Sequence, residues 1–103
     1  MRIAKVVGKV TLNRCHPSFD GASLRLVIPQ TLANLTGKSQ SDSDSLVSWD
    51  EMGTGEGSTI SIAEGPEASQ PFLPEVKAVD CYVSAILDEV SLDKTALKQI
   101  KTK

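Results

Sequence analysis

Alternation, turn chemistry and length together predict a mainly β fold in one small domain. Apolar and polar residues take turns along residues 2–12 and again along residues 58–63, the period of strands that bury one face. Pro29, the pair Asp20-Gly21 and three alternating glycines, Gly53, Gly55 and Gly57, cut the chain into the short pieces that strands and turns require. Size is the third observation: 103 residues make one domain, which buries only roughly 60 to 65% of the surface that its unfolded chain exposes. Association with further copies would help so small a core.

Taken in order, residues 2–12 place Ala4, Val6, Val10 and Leu12 on one side and Lys5, Lys9 and Thr11 on the other, which predicts a half-buried strand. Gly8 falls on the apolar side and predicts a bulge or bend there. Residues 13–23 form a loop punctuated by Pro17 and Asp20-Gly21. Residues 24–28, Leu-Arg-Leu-Val-Ile, read as a second strand that Pro29 stops, and the short link favours antiparallel pairing. From 30 to 45 the chain is the least structured. Its serine-rich run 39–45 has almost nothing apolar to bury, which predicts a mobile surface loop.

Residues 46–49 predict a third strand that runs into Asp50 and the glycine loop, and residues 58–63 a fourth. Pro66 sits near the start of one helical turn over 64–69. Residues 78–90 fit two periods. Val79, Cys81, Val83, Ala85 and Leu87 alternate as in a strand, whereas Val79, Tyr82, Val83, Ile86, Leu87 and Val90 also mark a helical face. β-branched and aromatic content tilts the run towards strand. Ser91 as N-cap, Asp93 in the first turn and Lys98 and Lys101 near the end predict a short helix over about residues 92–100. The domain accordingly spans 1–90, and 91–103 is a helical tail.

The glycine loop is the stretch around which the rest is arranged. A phosphate-binding loop would need a Lys-Ser/Thr pair opening a helix; here Glu56 precedes Gly57-Ser58 and a strand follows. A carboxylate in that place repels phosphate. The dinucleotide fingerprint fails too, for want of a following helix and of the wider second spacing. What remains is a conformational loop that makes or lines a protein contact, with Asp50 bracing it through backbone amides.

Composition narrows function further. Net charge is −2 and aromatics are 4%, which supplies neither a basic field nor a stacking platform for nucleic acid. Apolar runs are short and interrupted by charge, as at Lys5 and Lys9, so no membrane segment is expected, and the absence of a signal-like stretch makes the cytoplasm the default. Cys15 and Cys81 read as free thiols, and Cys15-His16 offers two adjacent ligands where a metal needs three or four. No cofactor site is expected. Asn34-Leu35-Thr36 matches a glycosylation sequon but lacks a secretory context.

Three stretches resemble the vertex proteins of bacterial microcompartments, the CcmL/EutN family of carboxysome and ethanolamine-utilisation shells. They are Met1-Arg2-Ile3-Ala4-Lys5-Val6-Val7-Gly8-Lys9-Val10 with residues 24–29 after it, Asp50-Glu51-Met52-Gly53-Thr54-Gly55-Glu56-Gly57, and Val79-Asp80-Cys81-Tyr82-Val83-Ser84-Ala85-Ile86-Leu87-Asp88. The resemblance implies a small five-stranded, OB-like β-barrel that forms a homopentamer at the fivefold corners of a polyhedral shell, among hexameric shell proteins. It also makes 78–90 a strand. Under it, Asp50, Gly53, Thr54, Gly55, Glu56 and Gly57 belong to an assembly or central-opening loop, and no residue is catalytic. Thr54 and Ser48 stand where the family usually has alanine, so Thr54 is expected to make the loop more polar.

Two other classes of function fit the sequence less well. An OB-fold module binding nucleic acid or another ligand is disfavoured because only Phe19, Trp49, Phe72 and Tyr82 are available to stack. An enzyme is disfavoured because His16 has no nucleophile or carboxylate partner at a recognisable spacing. Trp49 is expected to be a packed or interfacial aromatic, and Glu56 to face solvent or a neighbouring chain.

Overall fold

In the computed structural model, which describes residues 1–100, five strands close into a barrel. They are β1 (Arg2–Val10), β2 (Leu24–Pro29), β3 (Leu46–Trp49), β4 (Thr59–Glu64) and β5 (Cys81–Ile86). Around the barrel they run β1-β2-β3-β5-β4, and β4 returns to β1. All neighbours are antiparallel except β3 and β5, which meet in parallel at Trp49 and Tyr82. That single pair is the weakest joint of the circuit, since the other four junctions are each paired over four to six residues.

Each strand sends its small and branched residues inward. Ala4 and Val6 from β1, Val27 from β2, Ile60 and Ile62 from β4, and Cys81 and Val83 from β5 form the core, with Leu46 packed against it. Burying each Val or Ile contributes about 1.5 to 3 kcal/mol before entropy is charged against it. Burial raises the pKa of the Cys81 thiol, and outweighs the nearby Ser48 hydroxyl, which pulls the other way. Ser48 Oγ itself is buried without a hydrogen-bond partner of proper geometry.

The bulge expected at Gly8 is present and has a larger consequence than a bend. Val6 pairs with inward-facing Val27, but Gly8 pairs with Leu26, which points outward. The extra residue reverses the alternation, so Gly8 and Val10 lie on the outer face rather than beside Ala4 and Val6. Leu12 falls beyond the strand and is 42% exposed, not on the buried side where alternation placed it.

The ambiguous run is a strand, shorter than its pattern, with a second irregularity where Ser61 pairs with Ala85 and Ile62 with Val83. The turn at Pro66 extends into a 3-10 segment, Gly65–Phe72, and the terminal helix α2 covers Lys94–Gln99, capped by Asp93 rather than Ser91. Residues 101–103 of the predicted tail lie outside the described residues. The stretch 30–45 is more ordered than its composition suggests. A four-residue helix, α1 (Leu32–Leu35), opens on a capping box in which Thr31 and Asn34 satisfy each other's backbone amides. Asn34 Nδ2 also donates to the carbonyls of Ser39 and Gln40, and Ser41 Oγ donates to Gln30 Oε1. Three of the seven residues of the serine-rich run, Ser39, Gln40 and Ser41, are therefore tied to the residues before it.

Candidate functional site

The glycine loop hangs from the end of β3 and is held by one buried carboxylate. Asp50 is 2% exposed. Its Oδ1 accepts from the Met52 amide at 2.9 Å, and its Oδ2 accepts from the Thr54 amide at 2.8 Å and the Thr54 hydroxyl at 3.0 Å. Three donors converge on one side chain, which is the bracing role expected of Asp50. Arg25, reaching from β2, donates its Nε to the Thr54 carbonyl at 2.8 Å and stands 3.6 Å from Asp50 Oδ2. A guanidinium thus offsets the buried charge.

Backbone bonds close the loop. The Asp50 amide donates to the Ser23 carbonyl, the Gly57 amide donates to the Val6 carbonyl and the Val6 amide donates to the Ser58 carbonyl. Gly53 and Gly57 take φ of +71° and +87°, a region in which side chains are strained, so these two positions require glycine. Gly55 does not have positive φ, and a Cβ built on it meets nothing within 4 Å. Its lack of a side chain is not needed within one copy of the chain.

Thr54 corrects an expectation. It is 3% exposed, and its hydroxyl points inward to Asp50, so it adds no polarity to the loop's surface. Gly53, Gly55, Glu56 and Gly57 form that surface, and Glu56 is exposed as expected. Arg25 was not among the predicted site residues, though a lone charge inside an apolar strand was its signal, and the pairing of Glu51 with Tyr82 was not foreseen.

Beside the loop the four aromatics pack on one another. Phe19 stacks on Trp49 at 6.2 Å between centroids, Phe72 meets Trp49 edge-on at 4.8 Å, and Phe72 meets Tyr82 edge-on at 5.5 Å. Lys77 Nζ lies 5.7 Å over the Trp49 ring. Trp49 is only 5% exposed and Phe19, Phe72 and Tyr82 are half-buried around it, so the rings knit the 3-10 segment to the barrel. The Tyr82 hydroxyl donates to Glu51 Oε1 at 2.7 Å. Burial first, then the Glu51 carboxylate that its proton bridges, pushes the Tyr82 pKa up to about 12.

Elsewhere the chemistry is structural. His16 Nδ1 accepts from the Ser18 amide and caps the 3-10 turn Pro17–Phe19. Cys15 is an exposed free thiol and Cys81 a buried one. Among the described residues no three His, Cys, Asp or Glu side chains gather as metal ligands, and no helix is long and apolar enough to cross a membrane.

Comparison with known proteins decides the family. The family described as ethanolamine utilisation protein EutN/carboxysome matches residues 1–88. The chain belongs to it. Among solved structures similar to the chain, CcmL of Gloeobacter violaceus is 29% identical with a TM-score of 0.79, covering 90% of this chain and 91% of its own. The GrpN pentameric microcompartment shell protein from Rhodospirillum rubrum is 27% identical with a TM-score of 0.75, covering 90% of this chain and 100% of its own. EutN from Escherichia coli is 25% identical with a TM-score of 0.72, covering 89% and 90%. No curated protein sequence matches the chain.

Proposed function

We propose that this chain is a structural shell protein that forms homopentamers and caps the fivefold vertices of a bacterial microcompartment. The observation that carries the reading is the match of residues 1–88 to the EutN/carboxysome family, together with near full-length similarity to a pentameric microcompartment shell protein. Geometry explains the need for such a part. A layer of six-sided tiles is flat, and closing it requires corners at which one tile is missing. A wedge repeated five times supplies that corner.

In this reading the barrel, residues 1–90, is the assembling unit and 91–103 an appendage. Hexameric shell proteins are its flat neighbours in the bacterial cytoplasm, and its role is architectural rather than catalytic. The loop bearing Asp50, Gly53, Thr54, Gly55, Glu56 and Gly57 acts in assembly or around the central opening. What supports this is the division of labour inside it: Asp50 and Thr54 face inward and set its shape, while the glycines and Glu56 are left on the surface. Native mass spectrometry tests the assembly, with five times the chain mass expected. A folded monomer or dimer at micromolar concentration overturns the proposal.

A further inference from the structure

Resting on the pentamer reading, we infer that neighbouring copies join head to tail, the outer apolar ridge of β1, β2 and β3 on one copy seating in the outer groove of β1, β4 and β5 on the next. The ridge follows from the bulge in β1. Gly8 pairs with Leu26 and Leu26 pairs with Val47, which places an apolar row across three strands on the solvent side. Val7, at the bulge, is 41% exposed, and Val47 is 45% exposed. Gly8 leaves a notch between them: a Cβ there would lie 3.7 Å from Leu26 Cβ.

The groove has the opposite relief. Ser61, Ser84 and Ala85 contribute small side chains to its lining and Ile3, Leu87 and Val90 larger apolar ones, around a volume of about 570 Å³; Arg2 and Glu89 line it too, and the Arg2 guanidinium is held by Glu64. Its two hydroxyls are already spent on each other, Ser61 Oγ lying 2.7 Å from Ser84 Oγ. These hydroxyls therefore ask no hydrogen bond of an occupant, and an apolar ridge covers them without leaving either unpaired.

A second copy of this chain is the occupant that charge and placement favour. Exposed Asp88 and Glu89 stand at the end of the groove, and exposed Lys5 stands on the outer face of β1 beside the ridge, paired with Ile28. Opposite charges then meet at the rim of an apolar contact. Ridge and groove share β1, so they occupy neighbouring sectors of the barrel wall rather than opposite ones. Contacts between different, non-opposed patches turn each copy relative to the last, which is the condition for a ring instead of a straight filament.

Val47→Glu places a carboxylate on the ridge and Ala85→Glu places one in the groove, and each is to be weighed by native mass spectrometry, with circular dichroism as the check on folding. Each variant alone is expected to be a folded monomer. Mixed, they are expected to give a one-to-one heterodimer, because the intact ridge of Ala85→Glu meets the intact groove of Val47→Glu while the second contact opposes two carboxylates. Val90→Glu, beyond the last strand, replaces Ala85→Glu if that variant does not fold. Either variant remaining pentameric, or folded monomers that fail to pair on mixing, overturns the assignment. A parent chain that is not a pentamer, alongside variants that do pair, would keep the contact and remove the ring of five.

Discussion

At the scale of single residues, Asp50 sets the loop. Replacing it with alanine strands the Met52 and Thr54 donors and leaves Arg25 without its carboxylate, which is expected to cost about 2 to 4 kcal/mol. Thr54→Ala removes one hydroxyl from an acceptor that keeps its amide partners, and about 1 kcal/mol is expected. Urea unfolding of the two variants checks that order, and an equal loss would show that Asp50 does not organise the turn. Tyr82 offers a second test, since it is the chain's single tyrosine and its ionisation is read without interference from another. Its folded pKa is raised to about 12, so its contribution to stability is intact below the unfolded value near 10 and is lost as pH climbs towards 12. The tyrosinate absorbance is expected to rise well above pH 10 in the folded protein. A midpoint near 10 while the fold persists would mean that the bond to Glu51 is absent in solution. Asp50 was legible in the sequence because an aspartate before a glycine turn has a local partner at hand. Arg25 and Tyr82 were not, since their partners lie 29 and 31 residues away in the chain, a distance only the closed barrel spans.

Among elements, strands with clean alternation were legible and strands with bulges were legible only in part. Residues 46–49 pair as their pattern predicts, whereas the bulge beside Gly8 moved Val10 to the other face, because one inserted residue reverses a period of two. Helix α1 was missed because its capping box, Thr31 with Asn34, lies inside a polar stretch with no apolar periodicity to announce it. The glycine loop illustrates a finer limit: spacing marked all three glycines alike, yet only Gly53 and Gly57 have positive φ. Gly37, at φ +78° with open space around it, is then a matched control for Gly53 at +71°. Alanine at either site is expected to lower stability by a similar amount, about 1 to 2 kcal/mol, through backbone strain alone. If the loop acts in assembly, only Gly53→Ala also reduces the pentamer fraction. Gly55→Val separates the two effects further, since it strains nothing within one copy: it is expected to leave the monomer's fold intact and to weaken assembly. Full assembly by Gly55→Val and equal behaviour at 37 and 53 would make the loop ordinary surface.

For the whole molecule, the closed barrel itself was not deducible from alternation, which says which residues face inward but not which strands are neighbours. The β3 to β5 junction is a parallel contact at one residue pair, the part of the circuit with least local signal. Resemblance of the three stretches to the microcompartment shell family supplied that closure, and the match over residues 1–88 bears it out. The same barrel explains why assembly and stability should be linked. Its core is seven small and medium side chains with one more packed against them, while Val7, Val47, Ile86 and Met1 remain in solvent. Whatever binds the folded state and not the unfolded one stabilises it by mass action, so a ring whose copies cover that apolar surface has a melting temperature that rises with protein concentration. Calorimetry over a hundredfold range of concentration is expected to show such a rise for the parent chain and a flat, lower value for Val47→Glu, which keeps its barrel but loses its neighbours. A parent melting temperature indifferent to concentration, at dilutions where native mass spectrometry reports dissociation, would mean that the isolated barrel is as stable as the assembled one, and that pentamer formation contributes shape to the shell without contributing to the fold.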